Sequence, residues 1–234
     1  MRFVPLLAVA ALLLTGCAKS TKLTQAPPAT LPEGWTLINS SADGVSVGAP
    51  PGWRQGVPKL FDTSSLLGNI EGDAGQNPNV QGFVDDLKKA DEQDEAKKLE
   101  ELRAKGILCH CVNGSRPVIG EQPTRFYVTV EQPGGILALD SAVTTEKKKF
   151  LGDVDGKEVQ LANGKAWRLA NTMKTRGGDD LTKIVYVLVH EDRKYTLRFT
   201  STNDPVSIEQ IEKQVAETLR IDPTKTPAFA KKED

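Results

Sequence analysis

Residues Ile184–Thr202 read IVYVLVHEDRKYTLRFTST, and the rest of the chain can be placed around them. From Leu181 to Val189 nearly every residue is apolar, as expected of a central strand covered on both faces. Beyond the polar break, Tyr195, Leu197 and Phe199 alternate with Lys194, Thr196, Arg198 and Thr200. A period of two sends the first set into a core and the second away from it. Two such runs joined by a short polar turn form an antiparallel hairpin.

Working upstream, Lys157–Leu161, an Asn163-Gly164 turn and Lys165–Lys174 predict another hairpin, with Trp167, Leu169 and Met173 on one side. The RGGDD stretch at Arg176–Asp180 turns the chain into Leu181. Arg125–Val130 alternates, with Phe126, Val128 and Val130 sharing a face. Ile136, Leu139, Val143 and Phe150 predict an amphipathic helix over Ile136–Phe150. Ile107–Val112 and Ser115–Ile119 flank Asn113-Gly114 and read as a type I′ hairpin, with Pro117 pushing the second strand to an edge. Gly44–Val47 is a strand that stops at Pro50-Pro51-Gly52-Trp53, Val57–Phe61 a short returning strand, and Leu67–Gly82 a loop. Downstream, Asp204 as N-cap and Pro205 at the first helical position open a helix whose buried stripe is Ile208, Ile211, Val215 and Leu219. Trp35, Trp53 and Trp167 read as core anchors.

The stretch Phe83–Lys105 is dense in Glu, Asp, Lys and Ala. Its thin apolar stripe (Phe83, Leu87, Ala90, Leu99, Leu102), the i,i+4 pairs Asp94–Lys98 and Lys97–Glu101, and the Lys105-Gly106 stop predict a long, mostly solvated helix. Strands in hairpin order with helices between them predict α+β, with a central, mainly antiparallel sheet sandwiched by helices.

The chain opens MRFVPLLAVAALLLTGC. Arg2 provides a positive start, Phe3–Leu14 an apolar run too short to span a bilayer, and Leu14-Thr15-Gly16-Cys17 a lipobox. The expected product is a signal peptide over residues 1–16 and a lipid-modified Cys17 anchored by two or three acyl chains. Residues 17–34, rich in Thr, Ala and Pro, are expected as a disordered tether, 35–222 as the folded domain, and 223–234 as a fraying tail. The expected location is the cell envelope, outside the cytoplasm. Ala18, rather than Asp, after the cysteine leans towards the outer membrane of a Gram-negative cell.

Of 234 residues, 38% are hydrophobic and 26% charged, and the formal net charge is −1. That balance argues against a nucleic-acid binder. It also leaves the lipid, rather than charge, to hold the protein on a membrane. Three cysteines and two histidines exclude a disulfide-dense scaffold and a His-rich metal site. No nucleophile elbow, phosphate-binding loop or dinucleotide fingerprint occurs. A hydrolase triad would need His110 or His190, both in predicted strands with no nucleophile marked beside them. Asp153-Val154-Asp155-Gly156 lacks the further ligands of a calcium loop and reads as a turn.

Four stretches in order resemble PsbP-like domains of the PsbP/Mog superfamily: VSVGAPPGW (Val45–Trp53), PTRFYVTVEQP (Pro123–Pro133), LANGKAWRLANT (Leu161–Thr172), and Ile184–Thr202 with the helix after it. The resemblance covers about residues 43–221, and Phe83–Lys105 looks like an insertion in it. It implies a helix-sandwiched antiparallel sheet and a non-catalytic role in binding or assembling protein complexes. The residues call for no cofactor. An envelope protein is the expected partner, and the insertion is a candidate for its specificity.

One constellation could carry chemistry. Cys109-His110-Cys111 on a strand puts both thiols on one face and His110 on the other, with i and i+2 about 6.5–7 Å apart. Three readings stay open: packed thiols, a strained redox couple, or a soft-metal site. The second and third would make the protein a thiol-redox or metal-handling envelope protein. A purely structural lipoprotein is a further possibility.

Overall fold

The computed structural model describes residues 22–56, 93–113, 124–175, 177–202 and 205–227. In chain order its elements are β1 (Thr36–Ser40), a 3-10 turn at Ser41–Asp43, β2 (Val45–Ala49) and β3 (Trp53–Gln55). Helix α1, described over 93–104, precedes β4 (Ile107–Asn113) and β5 (Arg125–Glu131). Next come α2 (Leu139–Lys147), β6 (Asp155–Leu161), β7 (Gly164–Lys174), β8 (Asp180–His190) and β9 (Arg193–Thr202). The last are α3 (Pro205–Thr218) and β10 (Arg220–Ile221).

The architecture is α+β. Seven strands form one sheet in the order β3-β4-β5-β9-β8-β7-β6, with every neighbouring pair antiparallel. Strand β8 shows why its sequence is apolar throughout. Ile184, Tyr186 and Leu188 enter the main core, under α3 and a small second sheet of order β1-β2-β10. Val185, Val187 and Val189 enter a smaller core under α2, with Leu139, Ala142, Val143, Phe150 and Leu169. Each fully buried side chain of this size contributes about 1.5–3 kcal/mol relative to exposure. Strand β9, buried at Tyr195, Leu197 and Phe199, and β5, buried at Phe126, Val128 and Val130, face only the main core with their apolar sets. In α3, Ile208, Val215 and the following Leu219 are buried as the stripe requires. Trp35 and Trp53 pack on the main core and Trp167 on the smaller one, with the Trp53 and Phe126 rings 5.1 Å apart. Among the described residues no helix is long and apolar enough to cross a membrane.

Several expectations are corrected. The second sheet is new, because the two-residue β10 is too short to carry a periodic signal. Both edges of β4 at Cys111–Val112 are occupied, by Arg54–Gln55 of β3 and by Arg125–Phe126 of β5. The expected turn partner Gly114 and the second strand Ser115–Ile119 lie outside the described residues. Val57–Phe61, the loop 67–82 and the front of the charged helix, 83–92, also lie outside them. In the remainder of that helix Lys98 meets Asp94 at 2.5 Å, Gly106 closes the end at φ 76°, and Lys97 forms no ion pair with Glu101. Helix α2 starts at Leu139 rather than Ile136, because Gly134 and Gly135 adopt left-handed φ (87° and 71°) and leave Ile136 70% exposed. Asp155-Gly156 is not a turn but the start of β6, where Gly156 faces Leu169.

The expected tether departs furthest from the sequence reading. From Lys22 the chain runs along the domain. Leu23 is buried, its N–H donates to His190 Nδ1 at 3.0 Å, and Thr24 N–H donates to Asn163 O at 2.9 Å. Arg220 Nε donates to Pro27 O at 2.6 Å. A Cβ on Gly48 would stand 2.8 Å from Leu31 and 3.0 Å from Thr218, so only glycine admits this approach. The start of the tail is docked as well, through Arg193 donating to Pro223 O at 3.1 Å and to Lys225 O at 2.5 Å.

Candidate functional site

The cysteine pair sits in the core. The β4–β5 register slips by one residue between Leu108 and Cys111, and Cys109 takes φ 47°, so this is a β-bulge rather than a straight strand. Both thiols are free and face the main core, 4% and 0% exposed. Cys109 Sγ lies 3.7 Å from Val45 O, and Cys111 Sγ 3.5 Å from Cys109 O. Burial pushes the Cys109 thiol up to about 12, and pushes Cys111 up as well, with the neighbouring Cys109 adding to it. As placed, both thiols stay protonated at neutral pH and offer neither nucleophile nor metal ligand. His110 takes the opposite face, where its ring stacks on Tyr127 at 5.4 Å and Nδ1 donates to Gly56 O at 2.5 Å. Burial lowers its pKa, as it does for His190, so both rings are neutral. His190 sits three strands across the sheet. Among the described residues no three His, Cys, Asp or Glu side chains are placed to hold a metal ion.

Cys17 lies outside the described residues. As placed, Cys109, His110 and Cys111 build no reactive site, whereas the α2 face of the sheet forms a cleft. Helix α2 packs on β8 and β7, and among the described residues part of β5 and β9 stays open beside it. There the polar half of each alternation collects. Arg125 faces Thr200, which faces Lys183; one rung along, Tyr127 faces Arg198, which faces Val185. Lys149 and Phe150, just past α2, form one wall. The result is a cleft of about 330 Å³ lined by Arg125, Lys149, Lys183 and Arg198, with Tyr127, Phe150 and Thr200 among its walls and no acidic side chain among the described residues that line it. Beside it stands Leu151, 68% exposed, in a turn held by Asn171 donating to Leu151 O and Asp153 O.

A buried carboxylate fixes the cationic walls. Glu146, on the inner side of α2, is 0% exposed. Its oxygens accept from Arg198 at 2.6 Å, Lys149 at 3.2 Å and Lys194 at 3.3 Å. Burial alone would raise its pKa; Arg198, Lys149 and Lys194 outweigh burial and hold it below the ordinary carboxylate value. Glu131 joins the web through Lys194 at 2.7 Å and Lys149 at 3.2 Å. Three cations meet two carboxylates, so the web carries one positive charge in excess. Lys183 stands outside it with no ion pair among the described residues. A fixed positive potential in a half-enclosed cleft attracts anions and acidic segments.

The opposite face holds a different cluster. Arg168 Nε donates to Glu212 Oε1 at 2.9 Å, and Tyr186 Oη donates to Glu212 Oε2. Burial, then Glu212, raises the tyrosine pKa, so it remains a phenol and the trio latches α3 to the sheet. Sequence reading missed the cationic cleft because its charges come from four separate segments. The available signal was the polar half of the alternation at Arg125–Val130 and Lys194–Thr200, which reports a charged sheet face only once the strand order is known.

No family model matches the chain, and no curated protein matches it in sequence. Among solved structures it is similar to a Pseudomonas aeruginosa protein of unknown function, at 17% identity and TM-score 0.38, over 46% of this chain and 79% of that one. It is also similar to a Bacteroides thetaiotaomicron protein at 12% identity and TM-score 0.41, over 76% of this chain and 45% of that one. A third neighbour is the cyanobacterial PsbP, CyanoP, of Synechocystis sp. PCC 6803, at 11% identity and TM-score 0.32, over 82% of this chain and 94% of that one.

Proposed function

We propose that this chain is an envelope lipoprotein anchored through Cys17, whose domain is a non-catalytic binding module that docks an acidic segment of an envelope protein on its cationic sheet face. The observation that carries the binding half is the cleft itself, four basic side chains around an open floor with no acid among the described residues that line it. Phe150 in the wall and the exposed Leu151 beside it suit a segment in which acidic residues flank an apolar one. The anchor half rests on the lipobox, and the PsbP-like assignment and non-catalytic role on the sequence stretches that resemble that superfamily. Buried thiols and neutral, bonded histidines give no observation in favour of the redox or metal-handling reading.

The test is chemical crosslinking of the tagged native protein in intact membranes, followed by mass spectrometry. The control carries the same first 34 residues on an unrelated domain. One envelope protein enriched over the control, and lost in Lys183→Glu, is the expected result. No enrichment over the control refutes the binding module.

A further inference from the structure

The docked N-terminal stretch fixes which way the domain points. Leu23 is seated at one end of the main sheet, where β6 turns into β7 and β8 into β9. Its N–H bonds His190, the next N–H bonds Asn163 O, and Asn163 Nδ2 returns a bond to Thr24 O at 2.8 Å. Lys22 reaches Glu191 at 3.6 Å. From Cys17 to Leu23 there are six Cα steps, which span at most about 20 Å when fully extended. An acylated Cys17 therefore keeps this end of the domain close to the bilayer.

The same end carries the most exposed large apolar residue among the described ones. The loop after β5 is tied to the β8–β9 turn by Leu137 N–H donating to Glu191 O at 3.0 Å. It holds Gly134 and Gly135, both with open space where a Cβ would stand, and Ile136, 70% exposed. Charges around it balance: Lys22 and Arg193 are positive, Glu191 and Asp192 negative. Attraction to anionic headgroups would be slight there, so contact would come from apolar insertion.

We propose that this end, the β8–β9 turn with the loop 132–137, rests on the lipid bilayer with Ile136 entering the headgroup layer. The inference rests on the Cys17 anchor reading. Its consequence is that the cationic cleft opens on a sheet face that runs up from that end, with its Thr200 side farthest from the bilayer. Thr200, in the cleft, lies six residues along β9 from Lys194, which is about 20 Å of strand further out.

The test uses the full lipidated chain in phosphatidylcholine vesicles, with an environment-sensitive fluorophore on Ile136→Cys or, as the opposite-end control, on the exposed Gly177→Cys in the β7–β8 turn. The native Cys109 and Cys111 are buried and do not compete for the label. Nitroxide-bearing lipids should quench the label at 136 and shift its emission to the blue, leaving the label at 177 unchanged. A longer Gly-Ser segment inserted after Ala18 should reduce the quenching. Equal responses at the two positions, or no quenching at 136 in vesicle-bound protein, overturn the proposed orientation. Absence of acyl mass on the Cys17 peptide, or a Cys17→Ser chain that still binds vesicles as wild type does, instead overturns the anchor reading and this inference with it.

Discussion

Replacing Glu146 by Gln removes one negative charge from the middle of the α2 face while keeping the side chain's shape. Three cations then face a neutral amide at distances that are now 2.6–3.3 Å. Lys194 is the most exposed to the loss, since its side chain is only 4% accessible and water cannot replace the missing partner. Taking one member from a buried ion pair costs about 3–5 kcal/mol. Glu131 still holds Lys194 at 2.7 Å and Lys149 at 3.2 Å, so the lower end of that range, about 3 kcal/mol, is expected. For a domain of this size that is a fall in Tm of about 6–12 °C, measured by calorimetry near neutral pH. The pH profile sharpens the test. Glu146 titrates lower in the folded state than in the unfolded one, so the unfolded chain takes up its proton first as pH falls. Its contribution is complete above the ordinary carboxylate value of 4.5 and is lost as pH drops through the depressed folded value. Wild type should lose stability over that acid window more steeply than Glu146→Gln; Glu131, which is also lowered, leaves the variant some residual slope. A variant within about 2 °C of wild type, with the same acid slope, would refute the claim that this carboxylate anchors the cationic face.

Leu188→Ala, at the fully buried centre of β8, should cost about 2–5 kcal/mol by urea unfolding, with an unchanged denaturant slope. Asn163→Ala removes two donated bonds, to Thr24 O and Ile221 O, and one accepted from Ile221 N–H. It should lower stability by about 2–3 kcal/mol and expose the stretch around Leu23 to protease well before the domain unfolds. The His190 ring, held neutral by burial and then by Arg193, accepts the Leu23 N–H. Its contribution is complete above the ordinary value of 6.5 and is lost as pH falls towards the lowered folded value, so the same cleavage should quicken from pH 7 to pH 5. Cys109 and Cys111 should react with a thiol reagent only at the rate of global unfolding, and fast labelling of the native protein would show that the bulge opens.

Much of the fold was legible because its central strands obey simple periods. The unbroken apolar run at Leu181–Val189 required cover on both faces, and two cores supply it. The alternation at Tyr195–Phe199 required cover on one. What stayed hidden depends on long-range partners. The bulge at Cys109 comes from pairing with β5, and nothing local distinguishes it from a straight strand. Thr, Ala and Pro in the first segment carry little apolar surface, yet Leu23 and Leu31 suffice once the Asn163 carbonyl, the His190 ring and the bare Cα of Gly48 meet that stretch. Glu146 looks like one more helix-surface acid until the strand order brings Lys194 and Arg198 beneath it. The cleft is legible only after that same step.

Binding on the cationic sheet face can be read out by a photo-crosslinking amino acid placed in living cells at Leu151, beside the cleft, or at Leu37 on β1, which is 46% exposed on the far layer. The prediction is a single adduct to an envelope protein from position 151, absent from position 37 and abolished by Lys183→Glu. Adducts from position 37 with none from position 151, or a 151 adduct indifferent to Lys183→Glu, would contradict it.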